Sequence, residues 1–198
     1  MQDKYDFIAI RNILQKQLHK CRYDHTIGVE ITAVSLAELY NVDIDKARMA
    51  ALLHDCAKNL SNDTKLELCD KYNIETSDEE LKNLDLIHAQ IGSVMAKYVY
   101  KIDDPDILDA ITYHTTGKAN MSSLEKIIYI SDYIEPGRTK APNLEEIRKV
   151  ANQDLDKALF MILSDTINYL QSSNKYIVPI TMEAYEYYKN IFNYTGGR

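Results

Sequence analysis

Apolar residues recur at steps of three and four along nearly the whole chain, and this periodicity constrains the fold more than any other feature. Phe7, Ile10, Ile13, Leu14 and Leu18 mark one side of a first helix, predicted over residues 5–18. A second, over 22–40, carries two stripes: Ile27, Ile31 and Val34 on one side, Val29 and Leu36 on the other. A helix apolar on two sides is predicted to be central. A third is expected from 43 or 44 to 58, ending in "ALLHDCAKNL". Ser61 or Asn62 caps a fourth. Ser77 with Glu80, and Ser122 with Glu125, stand at capping-box spacing. Asp104 before Pro105 opens another helix, and Gly117 stops it. Further helices are predicted over 144–150, 155–172 and 181–192, with "KYIVPI" extended between the last two and "NYTGGR" a frayed tail.

The breakers are few, six glycines and four prolines in 198 residues, so the fold class is all-α. No repeat or linker divides the chain, which reads as one domain over 1–198, its C-terminal third packed as a flap on the rest. A hydrophobic fraction of 45% is enough for a core without disulfides. The net charge of -7 argues against broad binding to nucleic acid or to an anionic membrane. A small cluster of cations can still hold a phosphate chain. Cys21, Cys56 and Cys69 form no CxxC pair and read as reduced thiols. "MQDKYDFIAI" is not a secretory signal, and no run nears the roughly 18 apolar residues of a membrane helix. These features predict a cytoplasmic protein.

Five histidines stand in the chain, and the helical pattern turns four of them inward. His25 shares a stripe with Val29, Thr32 and Leu36; His54 follows the small face Ala47, Ala50, Ala51. His114 follows Ile107 and Ile111, and His88 precedes Ile91, Gly92 and Met95. His19 is left at a polar helix end. An inward histidine taken singly is more often a hydrogen-bonded core residue than a ligand. Here Asp55 adjoins His54, and Asp132 closes the apolar run "IIYISD", where a lone carboxylate would be costly. Four histidines and two aspartates on five helices are explained together by a cation at their centre. Nitrogen and oxygen donors without paired thiolates suit iron, manganese, cobalt, nickel or zinc in an open site. Six ligands suit two metals sharing a carboxylate, and Asp55 is the expected bridge. Lys58, three residues after Asp55, reaches the same side, as do Arg22 before His25 and Arg138 after Asp132. Cations beside a metal centre point to an anionic ligand, and to phosphate first.

The order His25, His54–Asp55, Asp132 on helices resembles the HD superfamily of metal-dependent phosphohydrolases. "CRYDHTIGVE", "ALLHDCAKNL", "LIHAQIGSVMA", "AITYHTTGKANMSSLEKIIYISDYIEPGR" and "YIVPITMEAYEYY" are similar to the YqeK family of symmetrical bis(5'-nucleosyl)-tetraphosphatases, over about residues 5–188. The resemblance implies an iron-containing, di-metal hydrolase that splits diadenosine tetraphosphate into two ADP. It implies His25, His54, Asp55, His88, His114 and Asp132 as metal ligands, and Asp55 and Lys58 as catalytic. It implies Arg22, Lys58, Thr115 and Arg138 as phosphate contacts, with "KYIVPI" closing over the nucleotide. Other HD phosphohydrolases, acting on nucleoside monophosphates or cyclic nucleotides, stay open as alternatives. So do a di-iron oxygenase and a nucleotide-sensing module. An exposed apolar helix face would suit a homodimer.

Overall fold

A computed structural model describes residues 5–195, with side chains described to Phe192. Among the described residues there are eleven helices and no strand: α1 (Phe7–Gln17), α2 (Lys20–Leu39), α3 (Ile44–Leu53), α4 (Asn62–Tyr72), α5 (Asp78–Lys82), α6 (His88–Tyr98), α7 (Pro105–Tyr113), α8 (Ser123–Ile134), α9 (Leu144–Ala151), α10 (Leu155–Ser172) and α11 (Pro179–Thr195). The fold class is therefore the expected one. Short polar side chains start the helices by taking orphan backbone N–H groups: Asp6, Asp43, Ser61, Asp104 and Asp154 each accept one. Both capping boxes form, at Ser77/Glu80 and Ser122/Glu125. Asn73 ends α4 in the left-handed region, and Gly117, at φ +66°, turns the chain after α7.

Helices α2, α3, α6, α7 and α8 pack against one another and form the body that carries the inward histidines. On the far side of α8 lie α10, α9 and α11; α1 leans on α2 and α3, and α4 on α6. The α2–α3 approach is close because Ala33 and Ala37 meet the small face Ala47, Ala50 and Ala51, all without exposed surface. Ala47→Leu should overpack this seam and lower stability by about 1–3 kcal/mol. The midpoint of urea unfolding will report the loss.

Four expectations need correction. The third helix ends at Leu53, before the His-Asp pair, not at residue 58. The Ile27, Ile31, Val34 stripe is not a second buried face: Ile27 packs against the edge of the core, Ile31 is 58% exposed, and the three line an open groove with Arg11, Glu30 and Arg48. α2 buries its Val29, Ala33 and Leu36 side, and the ion-paired Arg11, Glu30 and Arg48 keep the other side open to water. The last helix begins at Pro179, whose fixed φ suits a first turn, so only residues 175–178 of the expected extended segment lack regular structure. The backbone of the expected frayed tail is helical through Thr195, and residues 196–198 of that tail lie outside the described residues, as do 1–4 of the N-terminal stretch. No helix of the described residues is long and apolar enough to cross a membrane.

Candidate metal centre

The His-Asp pair owes its place to the end of α3. Met49 to Leu53 are wholly buried, so the helix drives its C-terminus into the core. The chain then leaves the α-helix through tight turns, with Cys56 N–H bonded to Leu53 O (3.1 Å) and Lys58 N–H to Asp55 O (3.0 Å). His54 caps α3 and His114 caps α7 in the same way. His88 opens α6, His25 sits in the second turn of α2, and Asp132 in the last turn of α8. Helix ends from four directions thus converge on one another with a mid-helix histidine between them.

Asp55 stands in the middle, and its two oxygens face different partners. Oδ2 lies 3.3 Å from His54 Nε2 and 3.8 Å from His25 Nε2. Oδ1 lies 3.2 Å from His88 Nε2 and 3.7 Å from His114 Nε2. Asp132 Oδ1 is 3.0 Å from His25 Nε2. The donors fall into two sets, His25–His54–Asp55 and Asp55–His88–His114, each with its atoms within 4.8 Å of one another. Burial works against the charge on Asp55, but the surrounding imidazoles, His54 first, hold its carboxyl well below the usual carboxylate range. Asp132 is likewise pulled down against its burial, chiefly by His25.

The ring nitrogens test whether this set fits a cation. Three Nδ1 atoms face the carbonyl three residues earlier: His54 to Ala51 O (2.7 Å), His88 to Asp85 O (2.5 Å), His114 to Ile111 O (2.7 Å). A carbonyl only accepts, so each Nδ1 carries the hydrogen, and in the neutral form that binds a metal each ring turns a lone pair on Nε2 toward Asp55. Burial pushes the His88 imidazole down, which favours its neutral form. Its Nε2 lone pair then faces His114 Nε2 at 3.3 Å as well as the carboxylate. Acceptors facing acceptors in a dry site repel. His25 Nε2 and His54 Nε2 are buried without a hydrogen-bond partner. A cation among them removes both difficulties, and the backbone carbonyls supply the outer contacts that metal-bound histidines need. The residues fit.

Residues 22–137 match the HD domain family, more than half of the chain. The chain belongs to that family. The match begins at Arg22 and ends at Gly137, so it spans all six candidate donors in this HD domain. The chain is also similar to the symmetrical bis(5'-nucleosyl)-tetraphosphatase of Halalkalibacterium halodurans, 39% identical over 87% of this chain and 91% of that protein. The one from Bacillus subtilis is 38% identical over 88% and 92%. Among solved structures, a predicted HD superfamily hydrolase involved in NAD metabolism from Clostridium acetobutylicum superposes with a TM-score of 0.89. It is 45% identical and covers 94% of this chain and 98% of its own.

Cations flank the donors of the HD domain at both ends. At the His25 end, Arg22 Nη1 bonds Asp55 Oδ2 (2.6 Å), and Arg138 Nη2 bonds Asp132 Oδ1 (3.0 Å). Both line an open cleft of about 370 Å³ with His25, Glu135 and Lys140. Arg138 Nε is buried and has no partner. At the other end, Lys58 Nζ lies 3.5 Å from His88 Nδ1, a nitrogen whose hydrogen already goes to Asp85 O. Thr115 Oγ1 sits 3.3 Å from His88 Nε2 and 3.1 Å from His114 Nε2. His19 is exposed at the start of α2, away from this cluster's buried face.

Sequence reasoning missed two residues that hold the cleft. Arg148 of α9 donates to three carbonyls of the 134–138 loop: Ile134 (3.0 Å), Glu135 (2.9 Å) and Arg138 (3.0 Å). It fixes the segment that carries Arg138. Glu135 lies within that loop and faces His25, 110 positions away in sequence. No spacing rule reaches so far.

Proposed function

We propose that the chain hydrolyses diadenosine tetraphosphate at its centre and releases two ADP, acting as one domain over its full length. The names of its relatives support the substrate, and one geometric observation carries the chemistry. A single buried carboxylate, Asp55, offers its two oxygens to two separate sets of nitrogen donors, with cations at both ends. His25, His54, Asp55 and Asp132 would hold one divalent metal; Asp55, His88 and His114 a second. Iron is the metal proposed, with manganese or cobalt as substitutes. When bound, divalent metal supplies an ionised water near neutral pH and Lewis-acid polarisation of a phosphoryl oxygen.

The chain's own residues do the rest. Four phosphates in a row carry charge on both sides of the central bridge, so a centre that cuts there needs cations on both sides. Arg22 and Arg138 stand on one side and Lys58 on the other. Arg138 keeps its Nε–H for a phosphate oxygen while Nη2 holds Asp132. Thr115 has a hydroxyl for the same purpose between His88 and His114. The leaving ADP is weakly basic and needs charge neutralisation more than a proton, so no separate general acid is assigned. The segment 175–180 is proposed to lie over the nucleotide. The cysteines Cys21, Cys56 and Cys69 are free thiols, which suits a reducing cytoplasm.

The test is the product. Protein loaded with ferrous iron or manganese is given diadenosine tetraphosphate, and the nucleotides are separated by ion exchange. ADP alone is the expected result. AMP with ATP would move the attack to an outer phosphate and overturn symmetrical cleavage. No nucleotide product from metal-loaded protein would overturn the substrate, and nucleoside monophosphates, cyclic nucleotides and oxygen uptake would then be tried in turn.

A further inference from the structure

His25 differs from the other three inward histidines in what its Nδ1 meets. The others sit at helix ends, where the carbonyl three residues back is free to accept their hydrogen. His25 lies inside α2, where the Arg22 carbonyl belongs to the helix ladder. Its Nδ1 faces a carboxylate instead: Glu135 Oε1, at 3.2 Å.

Glu135 is built into this position. It is the residue that ends α8, and its side chain is buried, 4% exposed. Its other oxygen, Oε2, accepts the N–H of Gly137 at 2.5 Å. Its backbone carbonyl takes the Arg148 guanidinium. Two glycines leave room for it. A Cβ at Gly28 would stand 2.5 Å from Glu135 Oε2, and one at Gly137 would stand 3.0 Å from it. A buried carboxylate with one oxygen anchored and the other aimed at a ring nitrogen favours a hydrogen on that nitrogen. With a metal at Nε2, in place of the proton that Asp132 Oδ1 at 3.0 Å would otherwise draw there, Glu135 would keep the hydrogen on Nδ1 and leave the Nε2 lone pair to the metal. A carboxylate partner also makes the imidazole a stronger donor than a carbonyl does.

We propose that Glu135 is a positioning residue for the metal centre, holding His25 as a strong Nε2 donor, with Gly28 and Gly137 forming the space that admits it. This rests on His25 being a metal ligand. The consequence is asymmetry. Of the two metals, the one on the His25–His54–Asp55 side has a histidine whose Nδ1 meets a carboxylate, while on the His88–His114 side both Nδ1 atoms meet backbone carbonyls.

The experiment is a chelator-competition titration of manganese on the full chain, which reads affinity without turnover. Glu135→Gln keeps the shape but cannot accept from both Gly137 and His25 through charged oxygens. It is expected to weaken one of two manganese sites by about 10–100-fold and leave the other unchanged. Gly28→Ala should give the same loss by pushing the carboxylate away. The double variant Gly28→Ala/Glu135→Ala should be no worse than Glu135→Ala alone, because the obstructed group is gone. Thermal unfolding of the metal-free variants checks that each folds. Two sites of parental affinity in Glu135→Gln would overturn the proposal. His25→Ala is the separate control: if it binds both metals as the parent does, the ligand assignment itself has failed, and the role of Glu135 fails with it.

Discussion

Asp55→Ala is expected to lose both metals together. Turnover should fall by more than the roughly 10²–10³-fold that loss of one charge-stabilising contact costs. The reason lies in how Asp55 is shared. Its Oδ2 faces His54 and His25, and its Oδ1 faces His88 and His114, so no other side chain among the described residues belongs to both donor sets. Removing it takes one ligand from each set and also the negative charge that would balance two dications at close quarters. His114→Ala is the informative comparison, because His114 belongs to one set only. It should leave one metal per chain and a residual rate. Asp55 is buried, but its truncation leaves Arg22, which is half-exposed and can turn to water, so the fold should survive. Metal per chain by emission spectrometry, measured beside the rate, decides the matter. Two metals retained in Asp55→Ala would remove it from the centre, and one retained would place it on one side only.

Much of this centre was legible because helical periodicity reports which side of a helix faces inward. Ala47, Ala50 and Ala51 are wholly buried, and His54 follows them into the core. Ile107 and Ile111 do the same for His114, and Ile128 for Asp132. Periodicity does not say which inward groups meet. That Asp55 divides its oxygens between two pairs of rings depends on the turn after Leu53, where the chain abandons the α-helix that the sequence pattern continues to residue 58. It also does not say whether an apolar stripe has a neighbour: Ile31 repeats at helical spacing and lies in an open groove. Arg148 and Glu135 were out of reach for a third reason. Their work is done across loops, on carbonyls and on a ring 110 positions away, and a single charged residue near a helix end looks like a solvated one. The two glycines beside Glu135 are informative only once its carboxylate is placed between them.

Lys58→Ala is expected to keep both metals and lose roughly 10²–10³-fold in kcat, the cost of removing one preorganised contact to developing charge. Lys58 is half-buried, and it forms no salt bridge with any described residue. Its Nζ lies 3.5 Å from His88 Nδ1, which has no lone pair to offer because its hydrogen is given to Asp85 O. An ammonium held beside a buried donor set, with no carboxylate in salt-bridge contact and Asp85 paired to Lys65, is poised for an anion that arrives with substrate. The arginines differ: Arg22 and Arg138 already bond Asp55 and Asp132, so their removal disturbs donors and phosphate contacts at once. Lys58 therefore separates the two roles. Its effect should fall on kcat more than on KM if the contact tightens as charge moves to the leaving ADP. Lys58→Arg should recover part of the rate, since the charge is kept while its shape changes. Parental kinetics in Lys58→Ala would mean that the phosphates are neutralised from the Arg22–Arg138 side alone, and a substrate carrying charge on both sides of its scissile bond would no longer explain the two-ended placement of cations.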